Sequence, residues 1–158
     1  LQEYARSGMF KNISLISYES LEILARRLNQ SSDGFPELIC STYRMIDIFN
    51  SSKPILNNFD EIPAGARIKT AGIIEENNLF HNVFFPIDNV SDVVYYFSYN
   101  ELQLQENKNL IFDIRNIVKD KIKNGTERVY YGIFATKYEK PFICCEYYSS
   151  TIQQSPKL

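Results

Sequence analysis

The chain has 158 residues, of which 44% are hydrophobic and 23% are charged. This length fits one domain, and the hydrophobic share excludes wholesale disorder because it is enough to build a packed core. The formal net charge is -2, and no concentrated basic segment stands out, which argues against a nucleic-acid-binding protein. No apolar run reaches the roughly 20 residues that a membrane-spanning helix requires.

Two amphipathic helices are predicted in the first third of the chain. The first helix covers about Ser14 to Gln30, where apolar residues recur at intervals of three and four, and Ser14 or Ser17 can cap its start. The second helix begins near Pro36, because proline suits the first turn of a helix, and it continues through Asn50. Both helices therefore carry one apolar face that must pack against another layer.

Five strands are predicted in the remaining sequence, after a loop over Pro54 to Gly65. Asn77 and Asn78 suit a two-residue turn between the first two strands, and Tyr138 to Pro141 suits a hairpin turn between the last two. Short connections of this kind favour antiparallel pairing. The strands are Ala66 to Glu76, Leu79 to Ile87, Asp92 to Tyr99, Arg128 to Thr136 and Phe142 to Ser149.

A third helix, over about Glu106 to Lys123, separates the third strand from the fourth, and Gly125 supplies its C-terminal cap. The element order ααβββαββ predicts an α+β fold. We expect a mostly antiparallel five-stranded sheet, covered by two N-terminal helices and one later helix. Residues 14–150 form this single domain, residues 1–13 are an N-terminal extension or tag remnant, and residues 151–158 are a flexible tail.

The sequence offers no catalytic constellation. His81 is the single histidine, which excludes a histidine-rich zinc site, and no Gly-x-Ser-x-Gly motif presents a nucleophilic serine. We therefore predict no catalytic residues, no metal and no cofactor. His81 remains a candidate for pH sensing because histidine titrates near neutral pH. A thiol enzyme would have to pair His81 with Cys144 or Cys145, and nothing near either cysteine would lower the pKa of its thiol.

The three cysteines permit two interpretations. A disulfide between Cys40 and either Cys144 or Cys145 would link the second helix to the sheet and stabilise the fold by restricting the unfolded chain. Alternatively, all three thiols are reduced and the buried ones pack as small apolar side chains. The sequence alone does not choose between them.

Tyrosine pairs are the most unusual feature of the sequence. Each of the last three strands contains one pair, and alternation along a strand sends one ring of each pair to each face of the sheet. Tyrosine is enriched at binding interfaces, although aromatic pairs are also ordinary in half-buried sheets. The candidate ligand-binding or partner-binding residues are Tyr95, Tyr96, Phe97, Tyr130, Tyr131, Phe134, Tyr147 and Tyr148.

The predicted order of elements resembles that of extracytoplasmic sensor domains of the Cache, or PAS-like, type. The resemblance rests on the N-terminal helix, the strand-turn-strand over Ile68 to Phe85 and the antiparallel hairpin over Val129 to Tyr147. Cys40-Ser41-Thr42 is similar to the Cys-Ser-Ser motif of periplasmic sensors attached to cyclic-di-nucleotide phosphodiesterases, but a second cysteine near the first hairpin is absent. The resemblance implies sensing of a small ligand or partner without catalysis.

Two functional hypotheses follow. The first is a periplasmic sensory or co-regulatory domain, tethered to a membrane in the full-length protein and able to dimerise. It would bind a partner protein or a small apolar or amphipathic ligand between sheet and helices, against Tyr96, Phe97, Tyr131 and Phe134. The alternative is a cytoplasmic immunity or inhibitor protein that neutralises a toxin or another macromolecule through a tyrosine-rich surface.

Overall fold

The computed structural model of the protein describes residues 12–28, 31–59, 68–75 and 78–149. They form an α+β arrangement of one mixed seven-stranded sheet and four α-helices. The helices are α1 (Tyr18–Arg27), α2 (Phe35–Asn50), α3 (Glu101–Glu106) and α4 (Asn109–Asn124). The strands are β1 (Ile13–Ser14), β2 (Leu56–Asn57), β3 (Ile68–Glu75), β4 (Asn78–Val83), β5 (Val90–Asn100), β6 (Arg128–Thr136) and β7 (Phe142–Ser149).

Local sequence signals mark the starts of the first two helices, although α1 is shorter than the predicted Ser14 to Gln30 and Ser14 itself lies in β1. Ser17 caps α1, and its hydroxyl accepts a hydrogen bond from the backbone nitrogen of Ser20 at 3.4 Å. The second helix has Pro36 in its first turn, as predicted. Residues 1–11 of the predicted N-terminal extension and the predicted tail, residues 151–158, lie outside the described residues, as does Asn77 of the predicted turn.

The helix predicted over Glu106 to Lys123 is confirmed as α4, but the separate short helix α3 that precedes it was not predicted. Asn100 starts α3 early by accepting a hydrogen bond from the backbone nitrogen of Leu102 at 2.9 Å. Asn107 interrupts the helix, and its Oδ1 accepts a hydrogen bond from the backbone nitrogen of Asn109, where α4 begins. Gly125 ends α4, as predicted.

The prediction of a mostly antiparallel five-stranded sheet is also wrong. The strand order is β1-β3-β7-β5-β6-β2, and β4 pairs with β3 farther along the edge that β1 occupies. Two pairs are parallel, β1 with β3 and β5 with β6. The parallel β5–β6 pair has a simple cause, because the connection through α3 and α4 is long enough to return the chain to the same end of the sheet.

The last two strands do not form the predicted hairpin, because β5 lies between β6 and β7. Residues 92–99 of β5 are all buried, which agrees with its prediction as a well-covered strand. An almost continuous apolar strand is most stable at the centre of a sheet, where neighbours cover both edges and helices cover both faces. Tyr138 to Pro141 therefore belongs to a connection that crosses the end of β5.

Helices cover both faces of the sheet. The α1/α2 face contains Leu24, Phe49 and Tyr96, whereas the α3/α4 face contains Ile114 and Ile133. Alternating side chains of each central strand enter opposite cores. No helix among the described residues combines the length and apolarity needed to cross a bilayer.

Candidate functional site

The tyrosine pairs lie in three neighbouring strands, β6, β5 and β7, and send one ring to each face, as predicted. The helices cover most of these rings. Among the predicted binding residues, Tyr130 and Tyr147 are half-buried. The buried ones are Tyr95, Tyr96, Phe97, Tyr131, Phe134 and Tyr148.

The four residues expected to line one ligand pocket do not share a face. Tyr96 and Phe134 belong to the core under α1 and α2, whereas Phe97 and Tyr131 belong to the core under α3 and α4. The expectation of one pocket against all four is therefore wrong, since the sheet itself separates the two pairs. On the α1/α2 face, Phe49 of α2 stacks on Phe134 with ring centroids 4.7 Å apart, so a helix side chain occupies this position.

A buried polar cluster lies among the aromatic rings of the α1/α2 face. At its centre is Glu146 of β7, whose side chain is fully buried. The Lys69 Nζ lies 2.6 Å from Glu146 Oε2, and the Tyr96 hydroxyl donates to Glu146 Oε1 at 2.8 Å. The Tyr148 hydroxyl donates to the same oxygen at 3.3 Å. We call these four residues the Glu146 cluster.

Hydrogen bonds within the Glu146 cluster satisfy both carboxylate oxygens, as a buried charge requires. Burial raises the pKa of Tyr96 and Tyr148 far above the ordinary tyrosine value, and the nearby Glu146 charge raises both further. Both phenols therefore stay protonated at neutral pH and act as hydrogen-bond donors. Residues of three strands thus enclose the carboxylate, and the Tyr96 hydroxyl also lies 3.1 Å from Oδ1 of Asn50, the last residue of α2.

The cysteines are all free. Of the two alternatives from the sequence, the bridge from Cys40 to Cys144 or Cys145 is not formed: Cys40 is exposed on α2, and the other two are buried in the sheet. Burial raises the pKa of Cys144 and of Cys145 well above the ordinary thiol value. Protonated thiols are poor nucleophiles. Because both side chains are buried in the two cores, they pack as small apolar groups.

His81 lies in β4, where its backbone is in register with Ile74 of β3. Its side chain is outside the described structure, so its predicted pH sensitivity stays a prediction. No group of three or more histidine, cysteine or acidic residues within the described ranges is arranged to hold a metal ion.

An open cleft of about 380 Å³ lies at the carboxyl ends of β5 and β6. Asn100 connects its two walls: its Oδ1 caps α3, and its Nδ2 donates to the Tyr138 carbonyl at 3.0 Å. Leu102 and Tyr138 are strongly exposed here, at 64% and 59%. The residues lining this cleft, which we call the Asn100 cleft, are Asn100, Leu102, Gln103, Glu106, Asn107 and Glu139.

The Asn100 cleft could not be found from the sequence. Its residues form no motif, and they come from a strand end, a short helix and a connection far away in the chain. The cleft exists because β5 and β6 are parallel, which brings their carboxyl ends together. Ligand sites of α/β sheets commonly lie at such ends. The available signal was the pair Asn100 and Asn107, whose side chains accept hydrogen bonds from the backbone nitrogens of Leu102 and Asn109 and so mark the starts of α3 and α4.

Comparison with known proteins assigns no family to this chain. No protein-family model matches it, and no curated protein matches its sequence. The resemblance to Cache sensors stays a prediction. One of its three features, the terminal hairpin, is not formed, because β5 separates the two strands.

Proposed function

We propose that this protein is a non-catalytic binding domain that recognises a partner protein at the Asn100 cleft. The observation that carries the proposal is the contrast between the filled aromatic cores and the exposed Leu102 and Tyr138 beside an open cleft. Aromatic and apolar side chains at the centre of a patch, surrounded by polar groups, are typical of protein interfaces.

The shape of the cleft favours a protein over a small apolar ligand. Small-molecule sites are concave and bury most of the ligand surface. The Asn100 cleft is open, and five of its six lining residues carry an amide or a carboxylate group. A segment of a protein chain suits such a surface, because its backbone can bond to the amides while one side chain packs on Leu102.

Burial of the ionisable groups supports a role without catalysis. Cys144 and Cys145 are inaccessible, and the carboxylate of Glu146 is fully hydrogen-bonded. A catalytic group must reach its substrate and keep a proton or an electron pair available for transfer. Within the described residues, these strongly perturbed groups face the two cores.

The two hypotheses from the sequence lead to different versions of this proposal. As a periplasmic sensor or co-regulator, the domain would pass a signal to its partner, whereas as a cytoplasmic inhibitor it would block a toxin or another macromolecule. The exposed rim of the Asn100 cleft suits the inhibitor version at least as well, since blocking needs only a surface. Six of the eight predicted binding residues are buried, and only Tyr130 and Tyr147 partly reach the surface. The tyrosine that contacts the partner at the cleft would therefore be mainly the exposed Tyr138.

Affinity purification from the source cells with immobilised wild-type protein and two matched variants tests the proposal. Leu102→Asp places a charge in the cleft, whereas Ile23→Asp places one on α1, where the isoleucine is also exposed, at 48%. We expect a partner that binds the wild type and the Ile23→Asp variant equally and does not bind the Leu102→Asp variant. A partner retained equally by all three proteins would place the interface elsewhere and contradict the proposal.

A further inference from the structure

We infer that the partner segment recognised by the Asn100 cleft is basic, with a lysine or arginine beside an apolar side chain. This inference rests on the proposed function and names the chemistry of its partner. Two lining residues, Glu106 and Glu139, are carboxylates, and no lysine or arginine lines the cleft. The cleft therefore presents negative charge next to the exposed Leu102.

The two carboxylates are available to a ligand. Neither Glu106 nor Glu139 makes an ion pair with any described residue, in contrast to Asp92 and Glu146, which are paired with Arg128 and Lys69. Both glutamates are exposed and line the cleft from different elements, one at the end of α3 and the other in the connection after β6. A cation bound in the cleft would therefore lie in a negative potential to which both elements contribute.

Two lysines lie beside the cleft in the chain, but neither forms an ion pair with a glutamate that lines it. Lys108 and Lys140 follow lining residues in the chain, but both side chains are exposed and neither lines the cleft. Their charge still weakens the local negative potential through solvent, over distances below about 10 Å at ordinary ionic strength. Removing one of these lysines should therefore strengthen the binding of a basic segment, which is the opposite of the effect of removing a glutamate.

The amide side chains supply the remaining contacts. The backbone carbonyl of Gln103 accepts a hydrogen bond from the backbone nitrogen of Asn107, but its side-chain amide bonds to no described residue, so the amide donor and acceptor can bind a peptide backbone. Leu102 and Tyr138 provide adjoining apolar area for the neighbouring side chain. The combination predicts a short extended segment with one apolar and one cationic side chain.

Two acetylated hexapeptides test this inference directly. One contains glycine, leucine and lysine, and the other has glutamate in place of lysine. We expect the lysine peptide to shift the backbone amide resonances of Leu102 to Asn107 and Glu139, and the glutamate peptide to leave them unchanged. High salt should weaken the lysine complex, because the charges are exposed.

Matched variants then identify the charges. The double variant Glu106→Gln/Glu139→Gln should bind the lysine peptide about three- to tenfold more weakly, as expected for two exposed ion pairs. Glu19→Gln/Glu37→Gln, on exposed positions of α1 and α2, should bind as the wild type does. Lys140→Glu should bind more tightly.

Equal shifts with both peptides, shifts elsewhere on the surface, or unchanged affinity of the Glu106→Gln/Glu139→Gln variant would each overturn the basic-segment inference. None of these results contradicts the proposed function if the Leu102→Asp substitution still abolishes partner binding. Conversely, a partner that binds the Leu102→Asp variant normally shows that the cleft is not the interface, whatever the peptides do.

Discussion

The two faces of the central sheet contain the same kinds of residue but use them differently. Under α1 and α2, Tyr96 and Tyr148 donate to a buried carboxylate that also pairs with Lys69. Under α3 and α4, Tyr95 and Tyr147 hydrogen-bond to each other among apolar side chains. Neighbouring residues of one strand thus enter a charged network on one side and a neutral one on the other.

One buried charged residue, Glu146, accounts for the difference in hydrogen bonding between the two faces. Glu146 requires a cation and hydroxyl donors around it, since an unpaired buried carboxylate is costly. These directional contacts permit few arrangements of the residues around them. The α3/α4 face has no such requirement, and shape and apolar area hold it together. The faces should therefore respond differently to substitution, while both should respond to alkaline pH.

Alkaline pH should produce the largest effect. Burial raises the pKa of Tyr95, Tyr96, Tyr147 and Tyr148 above the ordinary 10.0. These folded-state pKa values exceed those of the unfolded chain, so the stability they contribute is complete below about pH 9 and is lost as the pH rises. Each group removes about 1.4 kcal/mol per pH unit above its unfolded pKa. The two buried thiols of β7 add to this loss, because their raised pKa acts in the same direction from about pH 8.5 upward. We therefore expect urea unfolding midpoints to be constant to about pH 8 and to collapse by about pH 11.

The double variant Tyr95→Phe/Tyr147→Phe sharpens this test, because it removes two titrating groups from the face without a carboxylate. Its stability should fall less steeply with pH than that of the wild type. A wild-type midpoint that does not change up to pH 11 would contradict the burial of these phenols.

Lys69→Met should produce the next largest effect, confined to the α1/α2 face. It leaves Glu146 buried without a cation, which should cost about 3–5 kcal/mol in the free energy of unfolding. Adding Glu146→Gln removes the orphaned charge and keeps an acceptor for the tyrosine hydroxyls, so the double variant should recover most of the loss. Urea denaturation at neutral pH measures both.

Lys119→Met provides the control, since this lysine is exposed on α4 and should change stability by less than about 0.5 kcal/mol. If Lys69→Met is as mild as Lys119→Met, the Glu146 cluster does not hold the face together.

Single tyrosine hydroxyls should show the smallest difference between the faces. Tyr96→Phe removes a hydrogen bond to a charged group and should cost about 1.5–3 kcal/mol, whereas Tyr95→Phe removes a neutral one and should cost about 0.5–1.5 kcal/mol. Parallel thermal and urea unfolding of the two variants gives the comparison. Equal losses would mean that the charge of Glu146 adds nothing to its hydrogen bonds.

The elements themselves could be predicted from the sequence to a large extent. Ser17 and Pro36 mark the starts of α1 and α2, and the five main strands lie where β-branched and aromatic residues concentrate. Alternation also predicted that neighbouring tyrosines point to opposite faces. These are local properties, since capping and side-chain period depend on the residues of one segment.

Partner choice between segments could not be predicted in this way. Strand β7 pairs with β5 and not with β6, although the loop after β6 looks like a hairpin turn. The lining of the Asn100 cleft depends on this topology, as does the meeting of Lys69 with Glu146, 77 residues apart. Predicting either one requires knowing which strands are neighbours before any site is sought.

The sequence alone predicted the α+β class, the starts of α1 and α2, the main strands and the alternation of the tyrosines. Tertiary structure decided the parallel pairing of β5 and β6, the burial of the tyrosines, the free state of Cys40 and the place of the open cleft. The physical reason is that local propensity fixes the conformation of a segment. Burial on two faces and pairing at two edges depend on competition among all segments for the same apolar surface and hydrogen bonds.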